Sequence, residues 1–452
     1  MSLNIIGKFR SSCCARGTVA FPDSLFDKRK FSHMSIVRRF TFLLAMTLCG
    51  SLPAADWSAF RGNSGNGLSD ATGVPTNWSA NEGVAWKIDL PGRSNGSPIV
   101  SAGQVFLVSA ESKGLQRRLH SIDADDGTVK WVQTVDFPKE MPTHKTNLFG
   151  GTTPAANGKR VVVWHGSAGL VCYDFGGNQI WHRELGEFRH QWGYGTSPVL
   201  HGERVILHSG PGQSVFVAAF DLNTGDTIWK VEEPVENDGQ HNDADKYMGS
   251  WSTPVIISMG EKSVVVCSLA TRVNAYDLAN GKIIWTCDGL RGSQGDLAYT
   301  SPVIAGDICV AMGGFKGPAI GFRMTGEGNI TNSRLWRIDK GNPQRIGSGV
   351  VVDGYVYMAN AGPNTIECID PATGKSTWKQ RASGGDHWSS TIFADGRLYA
   401  TDQNGTTTVF RPNPEKFEPV SVNRLNDPGN ATPAIADGTI YLRTFSHLYC
   451  IR

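Results

Sequence analysis

The chain lacks most of the features that announce an activity. Its nine cysteines form no Cys-x-x-Cys pair, which excludes a zinc ribbon and a c-type haem attachment site. Beyond residue 55 it has no Lys/Arg-rich run of the kind that tracks a phosphate backbone, so nucleic acid is not an expected partner. Charged residues make up only 19% of the chain, against about 25% in an ordinary globular domain. The acidic stretch 232–247 contains Asp238, His241, Asn242, Asp243 and Asp245. It lacks the glycine and the closing glutamate that an EF-hand loop needs at fixed offsets, and reads as a solvated insertion. No Ser/His/Asp grouping can be placed from residue order alone. Beyond residue 55 no apolar stretch is long enough to cross a bilayer as a helix.

What charge there is has an uneven distribution. Eight of the 43 Lys and Arg, but only two of the 41 Asp and Glu, precede residue 56. The formal charge of +2 therefore hides a slightly acidic remainder. The early segment reads as an export signal. Arg38 and Arg39 supply a charged start, residues 40–48 an apolar stretch too short to span, and Pro53-Ala54-Ala55 a small-residue cleavage site before Asp56. Met34 opens a signal of ordinary length, 34–55, which leaves 1–33 as a misplaced start or an unstructured extension. The mature chain is then expected in the periplasm or outside the cell.

Three cysteines (Cys13, Cys14, Cys49) fall in that early region. Of the six others, Cys172, Cys368 and Cys450 recur at one place in a repeat, within Val171-Cys172-Tyr173, Glu367-Cys368-Ile369 and Tyr449-Cys450-Ile451. Such equivalence marks small apolar core residues, not a disulfide framework.

The repeat itself is what the chain has in abundance. A unit of roughly 41–56 residues recurs eight times. It opens with a Ser/Thr-Pro-aliphatic strand at Ser97-Pro98, Thr153-Pro154, Ser197-Pro198, Thr253-Pro254, Ser301-Pro302 and Thr432-Pro433. Degenerate openings stand at Gly349-Val350 and Thr391-Ile392. A second alternating strand follows a tight turn, as in Asp353-Gly354, Asp395-Gly396 and Asp437-Gly438. The third and fourth strands flank Asp-x-x-x-Gly-x-x-x-Trp: Asp123…Gly127…Trp131, Asp221…Gly225…Trp229, Asp277…Gly281…Trp285 and Asp370…Gly374…Trp378, with a copy one residue shorter at Asp174…Gly177…Trp181. The Asp can accept from backbone N–H groups of its own turn, and the Gly takes the left-handed position. The fifth unit carries Gly321-Phe322-Arg323-Met324-Thr325-Gly326-Glu327-Gly328 instead and reaches Trp336 late. The seventh is expected to put Phe417 where the Trp would stand.

A single four-stranded sheet cannot bury two apolar faces, so neighbouring sheets must stack around an axis. The expected fold is an all-β, eight-bladed β-propeller of four-stranded antiparallel blades, covering 56–452. The last unit stops at its third strand, and Val84-Ala85-Trp86-Lys87-Ile88 is the segment available to complete it.

These repeats resemble the PQQ-binding-like (quinoprotein-type) β-propeller family, which includes quinoprotein alcohol dehydrogenases and an outer-membrane protein assembly scaffold. Trp57-Ser58-Ala59-Phe60-Arg61-Gly62, residues 317–323 and the ending His447-Leu448-Tyr449-Cys450-Ile451 are similar to a secreted bacterial subgroup of it. For a dehydrogenase, the resemblance implies PQQ beneath a disulfide of adjacent cysteines, with Ca²⁺ beside a catalytic Asp. The only adjacent pair, Cys13-Cys14, precedes the expected cleavage site, and neither the calcium ligands nor the catalytic Asp can be matched residue by residue.

Ligands of propellers gather where loops enter the innermost strands. The candidate rim is His190, Trp192, Tyr194, Trp251, Tyr299, Arg345, Asp386, His387 and Trp388, with Asp296 as a further acid and 144–147 and Gln344 nearby. That mixture suits a planar or sugar-like ligand. The expected function is an exported, monomeric binding or scaffold propeller without catalytic residues, metal or evident cofactor, taking a small molecule or a protein at its face. The alternative is a PQQ- and calcium-dependent oxidoreductase acting on alcohols or sugars. N-terminal sequencing of the secreted protein should return a chain beginning near Asp56; an intact Met1 terminus rules out the cleaved signal.

Overall fold

The computed structural model describes residues 56–452, and the expected signal and extension lie outside the described residues. Eight blades of four antiparallel strands follow one another in chain order, the fourth blade extended by a short parallel strand. Blade 1 consists of Ile99–Ser101, Gln104–Glu111, Gln116–Asp123 and Val129–Asp136. Blades 2 to 7 open at Ala155–Ala156, Val199–His201, Val255–Met259, Val303–Ala305, Val350–Val352 and Ile392–Ala394. Blade 8 takes Ala434–Ala436, Thr439–Arg443 and His447–Ile451 from the C-terminal end and Val84–Asp89 from the other. Trp86 stands opposite Cys450 and Ile88 opposite Leu448, so the ring closes as the unit count requires.

Apolar residues are shared between blades. Phe106 and Leu119 of blade 1 pack with Val161, Val163 and Tyr173 of blade 2, and the cluster holding Tyr399, Tyr441 and Val105 joins blades 7, 8 and 1. The recurrent cysteines behave as expected: Cys172, Cys368 and Cys450 are buried cross-strand partners of Trp181, Trp378 and Trp86.

The Asp-x-x-x-Gly-x-x-x-Trp motif works between blades. Within the turn, the Asp221 carboxylate accepts from the N–H groups of Asn223 and Thr224 at 2.8 and 2.9 Å, and Gly225 has φ +76°. The Trp, however, docks on the turn of the next blade. Trp181 donates to the Leu222 carbonyl at 2.9 Å, Trp131 to Phe175 at 3.0 Å, and Trp229 to Leu278 at 3.0 Å. In each case the acceptor directly follows the next Asp. The indole lies against the next Gly, where a Cβ would come within 2.5–2.9 Å of the ring at Gly127, Gly177, Gly225, Gly281 and Gly374. Trp86 makes the same contact with blade 1, on Gly127 and the Ala124 carbonyl at 3.2 Å.

Where a turn departs from the motif, the joint changes. In blade 5, Gly328–Asn329 leaves its own sheet to pair in parallel with Trp285 and Thr286 of blade 4. Trp336 still reaches the repeat position, opposite Gly321. With no Asp-Gly turn to meet it, the buried Trp285 N–H has no partner among the described residues. Blade 7 corrects an expectation. Ser421, not Phe417, occupies the Trp register, opposite Val409. Phe417 instead packs on Trp378 and Phe410 at 5.5 and 5.3 Å. The reason is a long third hairpin that delays the outer strand to Glu418–Arg424. The vacated face is covered from the N-terminal side: Asn423 donates to the Thr76 carbonyl at 3.0 Å and accepts from the backbone N–H of buried Trp78 at 2.9 Å.

Trp86→Ala should cost about 2–3 kcal/mol, below the value for a fully buried Trp because Trp86 is half-buried. Gly127→Ala should cost about 1–2 kcal/mol from its positive φ, plus the clash with the indole. Because the clash vanishes once the indole is gone, the double variant should fall short of the sum by about 1 kcal/mol. Denaturant melts of the cycle check this, and strict additivity contradicts docking of the closing strand on blade 1.

Candidate functional site

The Ser/Thr-Pro openings converge on the axis. A residue before proline is held extended, which leaves its N–H free to reach sideways. Ser97 N–H donates to Thr153 Oγ1 at 3.1 Å, Thr153 to Ser197 at 2.9 Å, and Ser197 to Thr253 at 3.1 Å. Across the ring, Ser301 donates to Ser348, Ser348 to Ser390, Ser390 to Thr432 and Thr432 back to Ser97, at 2.9–3.1 Å. The two degenerate repeats therefore lose the proline but keep the hydroxyl, as Ser348 and Ser390.

Above this ring opens a cavity of about 350 Å³. Hydroxyls of Ser97, Thr153, Ser197, Thr253, Ser348, Ser390 and Thr432 line its wall. Trp192, Trp251, Tyr299, Trp388 and His144 supply aromatic faces, and Asn95, Asn147, Gln344 and Asn430 supply amides. Phe60 lines both this cavity and a second one on its other side, bordered by Ala156, Val199 and Gly202. It stands there because the segment 57–69 crosses the bore. Trp57 pairs with Val100 of blade 1, the Ser58 carbonyl accepts from Ala156 of blade 2, and that of Gly67 accepts from Phe393 of blade 7. None of the lining residues is Asp, Glu, Lys or Arg.

Of the nine expected rim residues, Trp192, Trp251, Tyr299 and Trp388 reach the cavity. Trp251 is fixed by its N–H on the Gly193 carbonyl at 3.0 Å and by edge contact with Tyr299 at 5.4 Å. Trp192 stacks on His144 at 4.9 Å. The other five turn elsewhere. His190 is buried behind the rim, where Nδ1 accepts the Trp192 backbone N–H at 3.1 Å and Nε2 meets the Met248 carbonyl at 3.2 Å. Tyr194 is buried under the Arg117 guanidinium, 5.2 Å away. Arg345 is buried in an ion pair with Glu367 at 2.9 Å. Burial alone would raise the Glu367 carboxyl, but Arg345, Ser376 and Lys379 hold it down to about 2. Asp386 lies at the surface, and His387 is buried, its backbone N–H on the Asn360 carbonyl at 3.2 Å. Side chains of successive residues leave an extended backbone in opposite directions, so where Trp388 faces the bore its neighbour His387 faces the blades.

Asp296 is buried too, accepting from Arg291 at 3.1 Å and Asn242 at 2.9 Å. Asn242 belongs to the acidic stretch, which is mostly exposed, as a solvated insertion would be, but is tied down at this point. Asp238 in the same stretch accepts from the N–H groups of Ser214 and Val215 at 2.9 and 3.0 Å, anchoring the loop. Phe60, supplied from far along the chain, carried no local signal. One Gly-x-Ser-x-Gly string, Gly92-Arg93-Ser94-Asn95-Gly96, stands outside the candidates above. Its Ser94 is buried, donating to the Gly150 carbonyl and accepting from Gly96 N–H at 3.2 Å. It lies on an irregular loop rather than at a strand-to-helix turn. Among the described residues no cluster of His, Cys, Asp and Glu could hold a metal ion.

A family profile described as outer membrane protein assembly factor BamB matches residues 69–141, 140–380 and 328–414. No curated protein sequence matches the chain. Among solved structures, the fold is similar to quinohemoprotein alcohol dehydrogenase from Comamonas testosteroni, at 13% identity and TM-score 0.63 over 88% of this chain and 80% of that one. A europium-containing methanol dehydrogenase aligns at 11% identity and TM-score 0.61, over 87% and 90%. BamB from Moraxella catarrhalis aligns at 14% and 0.53, over 82% and 99%. At such identities the likeness is one of fold.

Burial sets the charge state around the bore. It lowers His165 from 6.5 to about 3, and His120, His190, His208 and His387 to about 4. All five are neutral at pH 7. Between about pH 6.5 and 4 the unfolded chain binds protons that the folded chain does not. Stability is therefore complete above that window and is lost as pH falls through it. Replacing His208 by Gln should lower the steepest slope of unfolding free energy against pH by about 1.4 kcal/mol per pH unit. Urea melts between pH 7 and 4 measure it; an unchanged slope means His208 is not held neutral.

Proposed function

The chain belongs to the PQQ-like β-propeller family whose profile is described as outer membrane protein assembly factor BamB, and within it we propose a non-catalytic binding or scaffold propeller. It works as a monomer in the periplasm or outside the cell and holds its ligand or partner at the mouth of the bore. The observation that carries this reading is a cavity with aromatic faces, amides and hydroxyls but no charged side chain in its lining.

That donor set does not fit PQQ with calcium. PQQ is a carboxylated quinone, and no Lys or Arg stands in the lining against its carboxylates. Calcium takes six to eight oxygen ligands, carboxylates among them. The acid nearest to serving, Asp296, is already committed to Arg291 and Asn242, and Asp386 is not among the residues lining the cavity. Purified protein incubated with PQQ and Ca²⁺ and then dialysed should retain no quinone absorbance. It should reduce no dye with a panel of alcohols and aldose sugars. PQQ-dependent dye reduction that disappears in Asp296→Ala would establish the oxidoreductase in its place.

A further inference from the structure

We propose that the cavity binds the uncharged end of a saccharide chain, an inference that rests on the binding reading above. The first argument is charge. A ligand group carrying a full charge would enter a cavity with no opposite charge in its wall, which disfavours it against a neutral one. Arg61, next to the floor residue Phe60, is buried and forms no ion pair among the described residues. Its terminal N–H groups go to the carbonyls of Gly65, Asn66 and Gly349, and its Nε–H has no partner among the described residues.

The second argument is the inventory of unspent hydrogen bonds. Each of the lining hydroxyls of Ser97, Thr153, Ser197, Ser348, Ser390 and Thr432 accepts or stands in the ring of backbone N–H groups. None of them donates its own proton to another described residue, which leaves these O–H donors unspent along the cavity wall. The Gln344 side-chain amide and the Trp388 indole N–H, both at the cavity, are likewise uncommitted among the described residues. The Asn147 amide nitrogen is tied to the carbonyls of Trp192 and Tyr194 at 2.6 and 3.1 Å, which leaves its oxygen as an acceptor.

The third argument is shape. The lining combines donors and acceptors with flat indole and phenol faces, the surface that a pyranose needs for its C–H face and its hydroxyl edge together. A flat heteroaromatic ligand would use the rings and leave those hydroxyls unmet. Phe60 closes the cavity from below, so a polymer enters by one end and does not thread. At about 350 Å³ the space lies at the small end of ligand sites.

The test is a glycan array followed by tryptophan-fluorescence titration with the neutral oligosaccharides it identifies and with their uronic acid counterparts. At least one neutral saccharide should quench the fluorescence, and its uronate should bind about tenfold more weakly or worse. Trp388→Ala and Gln344→Ala should each weaken binding about tenfold, and Trp192→Ala with Trp388→Ala should abolish it while circular dichroism is preserved. Gln344→Glu serves as a second variant that retains the side-chain volume. It should lose the neutral ligand without gaining the uronate. Absence of any saccharide binding, preference for the uronate, or full affinity in the double variant overturns the proposal. PQQ-dependent dye reduction overturns the underlying binding reading separately, since it needs no saccharide result.

Discussion

The whole ring depends on one recurring joint, an indole from one blade lying on the glycine turn of the next. It has three parts that must coincide. The Asp folds the turn by accepting from its N–H groups, the Gly holds a positive φ and keeps the surface flat, and the Trp spends its N–H on the carbonyl beside them. A Cβ at the glycine would meet the ring at 2.5–2.9 Å, closer than atoms tolerate. Because the donor and the turn belong to different sheets, each blade is incomplete until its neighbour is placed. Trp86 carries the same joint across the break between the chain ends, which makes ring closure a property of the repeat and not a separate device.

The exceptions show how the joint is replaced. Blade 5 sends a short strand to pair with Trp285 and leaves that indole N–H without an acceptor. Blade 7 has Ser421 where the indole would stand, and the segment around Thr76 and Trp78 fills the space. Both departures are compensated by chain outside the regular strands, and both are structural.

The joints lie at the outer part of the blades, which leaves the axis to a different chemistry. There the hydroxyl ring stitches the inner strands together, and the residues just before it form the cavity. Charged groups near the rim are neutralised inside the protein, Arg345 by Glu367 and Asp296 by Arg291. The bore is thus polar without being charged. This separates the chain from what its fold alone would suggest, since the same architecture occurs in dehydrogenases and in BamB. A propeller is a scaffold on which the site decides the function.

The architecture could be read from the residues because its determinants are local and repeated. Asp, Gly and Trp at fixed offsets specify a turn and a strand through contacts only a few residues long, and eight openings count the blades. The missing strand could be read too, because Val84 to Ile88 alternates and the last unit is one strand short. Side-chain direction and long-range placement were not legible. The pair His387 and Trp388 looked equivalent in the chain, yet one points into the blades and the other into the bore. Phe417 looked like the repeat aromatic, until cross-strand register gave the place to Ser421. Phe60 became the floor of the cavity only because residues far apart in sequence converge on the axis, and a contact of that kind leaves no mark on local spacing.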